Sequence, residues 1–144
     1  MDAAWAECNF RAMSEADVEL MRRGFEAFQE EGVEGLVRFI HPDFEMTTPA
    51  GLAAEPDTYR GHDGMRRYFD SFYEVMDDIR FDVLGFEDLG SGRVLVPAVL
   101  KARGKTTGIE VEQQIAPVWE VRDGLASYCH VFATPEEGRA AFEV

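Results

Sequence analysis

Cysteine is scarce in this chain. Cys8 and Cys129 are the whole supply, and two isolated thiols in different contexts build neither a disulfide framework nor a zinc site. A reducing compartment suits such a chain, and the cytoplasm is the expected location. Positive charge is also short: 14 Lys and Arg stand against 28 Asp and Glu, for a formal net charge of -14. Nucleic-acid binding draws its affinity from neutralised phosphates, and anionic membranes attract basic segments, so neither partner is expected. No apolar run approaches the ~20 residues of a membrane span. No basic segment followed by an apolar one reads as a signal peptide. The three histidines, His41, His62 and His130, are far apart in sequence. With no Asp, Glu, His or Cys set at metal-ligand spacing, no metal is expected. Gly61 and Gly64 fit neither phosphate-cradling glycine pattern, and no cofactor is expected.

What the chain has in quantity is rings. There are 11 Phe, 4 Tyr and 2 Trp among 144 residues, and 46% of the residues are hydrophobic. The length suits one domain with a core of its own. The aromatic load exceeds what a minimal core needs and suits a ring-lined cavity.

Residues 1–13 carry no periodic pattern and read as a loosely ordered arm, leaving residues 14–144 as the domain. Ser14 and Asp17 are spaced like a capping box, and Val18, Met21, Phe25 and Phe28 then recur on one helical face, with Leu20, Gly24 and Ala27 beside it. A short second helix is predicted over Val33 to Ile40, stopped by Pro42. Asp43 to Thr48 reads as a strand with Phe44, Met46 and Thr48 on one side. Residues 49–60 lack periodicity and read as a lid or binding loop. A third helix follows Gly61, with Met65, Tyr68, Phe69, Phe72 and Met76 on its apolar face. Strands are predicted over Phe81 to Leu89, Arg93 to Arg103, Thr106 to Arg122 and Leu125 to Ala133. Gly90-Ser91-Gly92 and Asp123-Gly124 are the hairpin turns. Thr134-Pro135-Glu136-Glu137 opens a short C-terminal helix.

Helices gathered early and strands late mean an α+β fold. Several late strands are apolar on both faces: Val94, Val96, Ala98 and Leu100 alternate with Leu95, Pro97 and Val99. Both sheet faces therefore need cover. The helices cover one, and a second copy of the chain, docked on the outer face, is expected to cover the other as a homodimer.

Phe25-Glu26-Ala27-Phe28, then His41-Pro42-Asp43-Phe44-Glu45, then Tyr59-Arg60-Gly61-His62-Asp63-Gly64, and finally Val118-Trp119-Glu120-Val121-Arg122-Asp123-Gly124 follow one another in an order that resembles the SnoaL-like family of the nuclear transport factor 2-like superfamily. The resemblance runs from Ser14 to Phe142. It implies a cone-shaped half-barrel, a curved mixed or antiparallel sheet packed on three helices with a short C-terminal helix added. The mouth would lie near the helices and the loop after the first strand. Members of the superfamily include ketosteroid isomerases, polyketide cyclases, dehydratases, epoxide hydrolases and non-catalytic binding or association domains, so the fold alone names no reaction. Carried over residue by residue, the ketosteroid isomerase tyrosine donor falls on Gly24, its aspartate base on Thr48 and its protonated aspartate near Pro117. A glycine, a threonine and a proline supply neither base nor oxyanion donor, which excludes steroid isomerisation by that machinery.

Two functions stay open. One is a small-molecule pocket, with isomerase, cyclase or dehydratase chemistry on an apolar cyclic or polyketide-like compound. The other is a non-catalytic dimer that binds a ligand or associates with a protein. The expected pocket lining is Phe28, Phe44, Met46, Thr48, Tyr59, Met65, Phe69, Gln113, Trp119, Cys129 and Val131. Three residues stand as catalytic candidates, each beside a plainer reading. Tyr59 either meets a ligand or packs the loop on the third helix. His41 is a base or a histidine at a helix C-terminus. His130 forms a dyad with Glu120 or Glu112, but only if the strand register slips by one and turns all three inward. His62 and Asp63 read as a helix start before they read as a pair.

Overall fold

The computed structural model describes residues 3–48 and 58–142, with the backbone alone over residues 3–14. The first helix, α1 (Ala3–Glu31), begins well before Ser14. The capping-box signal at Ser14 is overridden because the alanines and other helix formers upstream continue the helix through it. A short α2 (Val33–Val37) follows, ending earlier than predicted because Ile40 and His41 already belong to a strand, β1 (Ile40–Thr47). The expected binding loop falls mostly on residues 49–57, outside the described residues. Its last three residues form β2 (Thr58–Arg60), which pairs antiparallel with β1. Helix α3 (Gly61–Tyr73) comes next. Met76, predicted on the apolar face of that helix, instead opens β3 (Met76–Val83). The pair Asp77-Asp78 disfavours helix, and Ile79, Phe81 and Val83 alternate as a strand requires.

The remaining strands are β4 (Glu87–Gly90), β5 (Arg93–Leu95), β6 (Ala98–Gly104), β7 (Glu110–Arg122) and β8 (Leu125–Phe132), closed by α4 (Pro135–Ala141). The eight strands form one curved, unclosed, mixed sheet, in which only the β1–β8 pairing is parallel. The fold is α+β, as the order of elements predicted. No helix among the described residues is long and apolar enough to cross a membrane.

Strand β7 is the spine of the sheet. Its first half, Glu110 to Ile115, pairs with β6. Its second half pairs with β8 along one edge and β5 along the other. The single strand predicted over Arg93 to Arg103 is broken at Val96-Pro97. Pro97 has no N–H to give the ladder, so its carbonyl accepts from Leu84 N–H at 2.8 Å while Val96 N–H reaches the Pro117 carbonyl at 2.9 Å. The β7–β8 turn matches its sequence signal: Asp123 and Gly124 have φ of 56° and 75°, both central residues left-handed as a tight type I′ hairpin demands. At α4, Thr134 accepts from Glu137 N–H and Pro135 holds the first helical position, as read from the sequence.

Period-two alternation sorts β7 onto two faces. Ile115 and Trp119 join the main core with Met21, Phe25 and Phe28 of α1 and Met65 and Phe69 of α3. On the other side Ala116 and Val118, with Leu95, are fully buried in a second cluster. The cover there comes from the chain itself. A Cβ on Gly138 of α4 would stand 3.2 Å from both Leu95 Cδ1 and Val118 Cγ2. The outer apolar face is thus partly roofed by α4, and the share left for a second copy is smaller than the sequence pattern implied.

The floor of α1 on α2 depends on Gly35. A Cβ there would collide with the Ala27 carbonyl, whose carbon lies 2.9 Å away, and backbone cannot swing aside as a side-chain tip can. Gly35→Ala is expected to destabilise the fold by about 1–3 kcal/mol, as overpacking does, read as a lower urea midpoint. An unchanged midpoint would contradict this close approach.

Candidate functional site

The site grows from one row of side chains on the inner face of the sheet. Backbone pairing sets Tyr59, Met46, Cys129, Trp119 and Val94 side by side across β2, β1, β8, β7 and β5. All five are buried. Trp119, Cys129 and Val131 face the helices as predicted, but a register shift between Glu120 and Val121 turns Ala126 into the core and leaves Ser127, expected inward, bonded to the Glu120 carbonyl. Over this row, α1 and α3 lay down rings. Phe28 meets Phe69 at 4.8 Å between centroids and Phe81 at 5.2 Å. Tyr68 meets Phe69 and Phe72 edge-on, each at 5.1 Å.

Between row and rings lies an apolar cavity of about 40 Å³, within a hollow of about 470 Å³ that reaches open solvent. Of the expected lining, Phe28, Met46, Met65, Phe69, Trp119, Cys129 and Val131 are brought together here. Phe44 lies outside the wall, fully buried with its ring stacked on Trp119 at 6.1 Å. Tyr59 is fully buried too, edge-on to Tyr68 at 5.2 Å and 4.3 Å beneath the Arg67 guanidinium. It anchors β2 to α3, the plainer of its two readings. Gln113 sits on the inner parity of β7 but opposite Leu100, in the stretch paired with β6, beyond the wall. Thr48 is buried at the end of β1, also off the wall.

Phe25, Leu36, Tyr68, Phe81, Ile115 and Pro117 complete the cavity and were missed as lining. The signal was present: Phe25 and Tyr68 lie on the predicted apolar helix faces, and Ile115 and Pro117 share parity with Trp119. What periodicity cannot give is which core residues border a void.

The cavity is neutral. Burial pushes the Tyr68 hydroxyl pKa up, and the neighbouring Cys129 and Tyr59 add to the rise. Burial raises the Cys129 thiol well above its ordinary value. Both stay protonated near neutrality and keep a hydrogen to donate. Among the described residues the wall holds no Asp, Glu or His. Two buried polar atoms have no hydrogen-bond partner among the described residues, Trp119 Nε1 and Thr48 Oγ1. No group of three or more His, Cys, Asp or Glu converges among those residues to suit a metal.

The histidine candidates lie elsewhere. His41 is a strand residue, not the helix-terminal histidine predicted, because α2 ends at Val37. Its Nδ1 accepts from Asp43 N–H at 3.0 Å, and its Nε2 lies 3.7 Å from the Asp123 carboxylate. His62 Nε2 is 2.7 Å from the Ile40 carbonyl and ties α3 to β1. His130 lies on the outer face, its ring tilted against Tyr128 at 4.2 Å and against Phe142 at 5.4 Å. Its Nδ1 is 3.4 Å from Thr47 Oγ1. Glu120 shares that face but binds Arg93 at 2.9 Å. Neither Glu120 nor His130 is part of the cavity lining, so this dyad stays outside it.

Comparison with known proteins follows the same lines. The model of the SnoaL-like domain matches residues 21–129. None of the curated proteins matches the chain. Among solved structures, a nuclear transport factor 2-like protein of Burkholderia thailandensis E264 is similar at a TM-score of 0.73 and 22% identity, over 89% of this chain and 98% of the other. TerC, crystallised with polyporic acid, is similar at 0.73 and 20%, over 87% and 96%. A provisional polyketide cyclase of Xanthomonas campestris pv. campestris is similar at 0.67 and 16%, over 89% and 97%. At these identities the likeness is one of fold.

The outer-face histidine yields a pH prediction. Burial lowers the His130 pKa from 6.5 and Arg93 adds to that, while Glu120 opposes it. A histidine depressed in the folded state contributes stability that is complete above 6.5 and is lost as pH falls through the lower folded value. Urea midpoints are therefore expected to drop below pH 6.5, with a shallower drop in His130→Gln. An NMR titration placing His130 above the exposed-histidine value would contradict this.

Proposed function

Because the chain belongs to the SnoaL-like domain family, we propose that it binds a compact apolar small molecule in the cavity between Trp119, Cys129 and the α1 and α3 rings, as a binding protein and not as an acid–base catalyst. The observation that carries this is the wall: rings, thioethers and aliphatic groups, with a phenol and a thiol held protonated and no carboxylate or imidazole among the described lining. Proton transfer needs a group whose pKa lies near the working pH, and the wall offers none. Binding of apolar surface needs only burial, at roughly 25 cal/mol per Å². The positions that match the isomerase machinery point the same way. Gly24 is backbone in α1, Thr48 is no base, and Pro117 is part of the wall. TerC's complex with polyporic acid and the provisional polyketide cyclase support a small-molecule role for this architecture.

The cavity is tight. Ordinary ligand pockets run to roughly 300–1,000 Å³, so a bound molecule either stays small or extends through the hollow toward solvent. Filling the cavity from its wall tests the assignment. Val131→Phe is expected to weaken binding of a neutral apolar fluorophore such as N-phenyl-1-naphthylamine about tenfold or more, with the far-UV circular dichroism unchanged. Unaltered affinity in a folded variant would send the ligand elsewhere.

A homodimer through the outer face belongs to the same proposal. Thr47, Tyr128 and His130 lie half-buried on that face beside the α4-covered cluster. Light scattering at micromolar concentration is expected to give twice the monomer mass, and a monomer mass would overturn the dimer.

A further inference from the structure

The indole of Trp119 is a hydrogen-bond donor with nothing to donate to. Its side chain is 6% exposed, and Nε1 meets neither solvent nor an acceptor among the described residues. Buried donors in folded proteins almost always find a partner, so this one asks for an explanation. The surroundings of the ring supply none. Phe25 stands edge-on to it at 6.0 Å and Phe44 stacks on it at 6.1 Å. Its neighbours across the sheet are Cys129 and Val94. None of these is a good acceptor, and Trp119 itself is part of the cavity wall. With no acceptor at this N–H among the described residues, a molecule in the cavity is the partner the position suggests.

We infer that the cavity's natural occupant is a neutral, compact apolar molecule bearing a hydrogen-bond acceptor, best met by a carbonyl oxygen, that takes the Trp119 Nε1–H. The inference rests on the pocket reading above and adds the polarity of the ligand to it. The rest of the wall agrees. The phenol of Tyr68 and the thiol of Cys129 are protonated and can donate, and beside the phenol oxygen the described acceptors, the Cys129, Met46 and Met65 sulfurs, are weak ones. An anion would find no countercharge among the described wall residues, and the chain's charge of -14 opposes its approach. A cation would need an open ring face. The faces here meet neighbouring edges, as in the Phe25–Phe81, Phe28–Phe81 and Phe69–Phe81 contacts at interplanar angles of 80°, 63° and 86°.

Acetophenone and α-methylstyrene have nearly one shape and differ in a carbonyl oxygen against a methylidene carbon. Both are titrated into the ¹⁵N-labelled full chain carrying Trp5→Phe, so that a single indole resonance remains. Acetophenone is expected to bind about fivefold or more tightly, the size of one hydrogen bond, and to move the Trp119 indole N–H downfield where α-methylstyrene does not. Trp119→Phe is expected to bring the two affinities together. Should that variant fail to fold, the indole shift decides alone. Equal affinities with an unmoved indole overturn the acceptor inference and leave the apolar pocket standing. Binding of neither compound overturns both. Tighter binding of tetramethylammonium than of acetophenone overturns it in favour of an aromatic cation cage.

Discussion

The whole arrangement hangs on the two-residue alternation of β7, a thirteen-residue strand held by three partner strands with one register shift against β8 between Glu120 and Val121. A shift of one residue would send Trp119 to the outside and Glu120 into the rings. That exchange would bury a carboxylate without a partner and expose the largest apolar side chain of the inner row. Both consequences oppose the slip, so the sequence selects its register through cost on two faces at once. Pro117 adds a second constraint. It sits where β7 passes from β6 to its β5 and β8 partners, and its carbonyl, with no N–H beside it, receives Val96 at the break between β5 and β6. The gap in the neighbouring strand thus falls beside two residues without donors, Pro97 and Pro117.

Curvature brings the inner row close to the helices, and the ring content then decides how much space is left. Edge-to-face contacts link Phe25, Phe28, Phe69 and Phe81 into one network under α1 and α3. Each such contact adds to the packing beyond its area, so the network resists being pushed apart. The same packing that makes the core firm narrows the cavity to about 40 Å³. A roomier member of this architecture would have to give up rings, and with them part of its core.

Legibility in the sequence followed the range of the signal. Asp123-Gly124 and Thr134-Pro135-Glu136-Glu137 are local chemistry, and they placed a turn and a helix correctly because no distant contact competes with them. The turn set Arg122 opposite Leu125, and a register shift between Glu120 and Val121 then brought Trp119 opposite Cys129; the turn gave the hairpin, but the shift inside it was not readable from the turn. Gln113 shows the limit of parity. It faces inward as predicted, yet the stretch that carries it pairs with β6, away from the void. The early start of α1, the strand at Thr58–Arg60 and the break at Pro97 escaped for a related reason. Each depends on what the segment meets in space, and a capping signal or an apolar run records only what it prefers alone.

A pocket of donors without a base has a definite chemical meaning. Protonated phenol, thiol and indole can hold a carbonyl oxygen, and in an oxyanion hole such donors would stabilise charge developing on it. Nothing in the described wall can take the proton whose departure would develop that charge. Supplying a base from the inner row would mean placing a carboxylate at a position such as Met46 or Cys129, both almost fully buried. Burial would raise its pKa and keep it protonated, as it already keeps the Cys129 thiol. Such a carboxyl would join the donors instead of opposing them. The ring packing that defines this cavity thus works against a base on its inner row, because the low dielectric that strengthens a hydrogen bond there also disarms a carboxylate placed beside it.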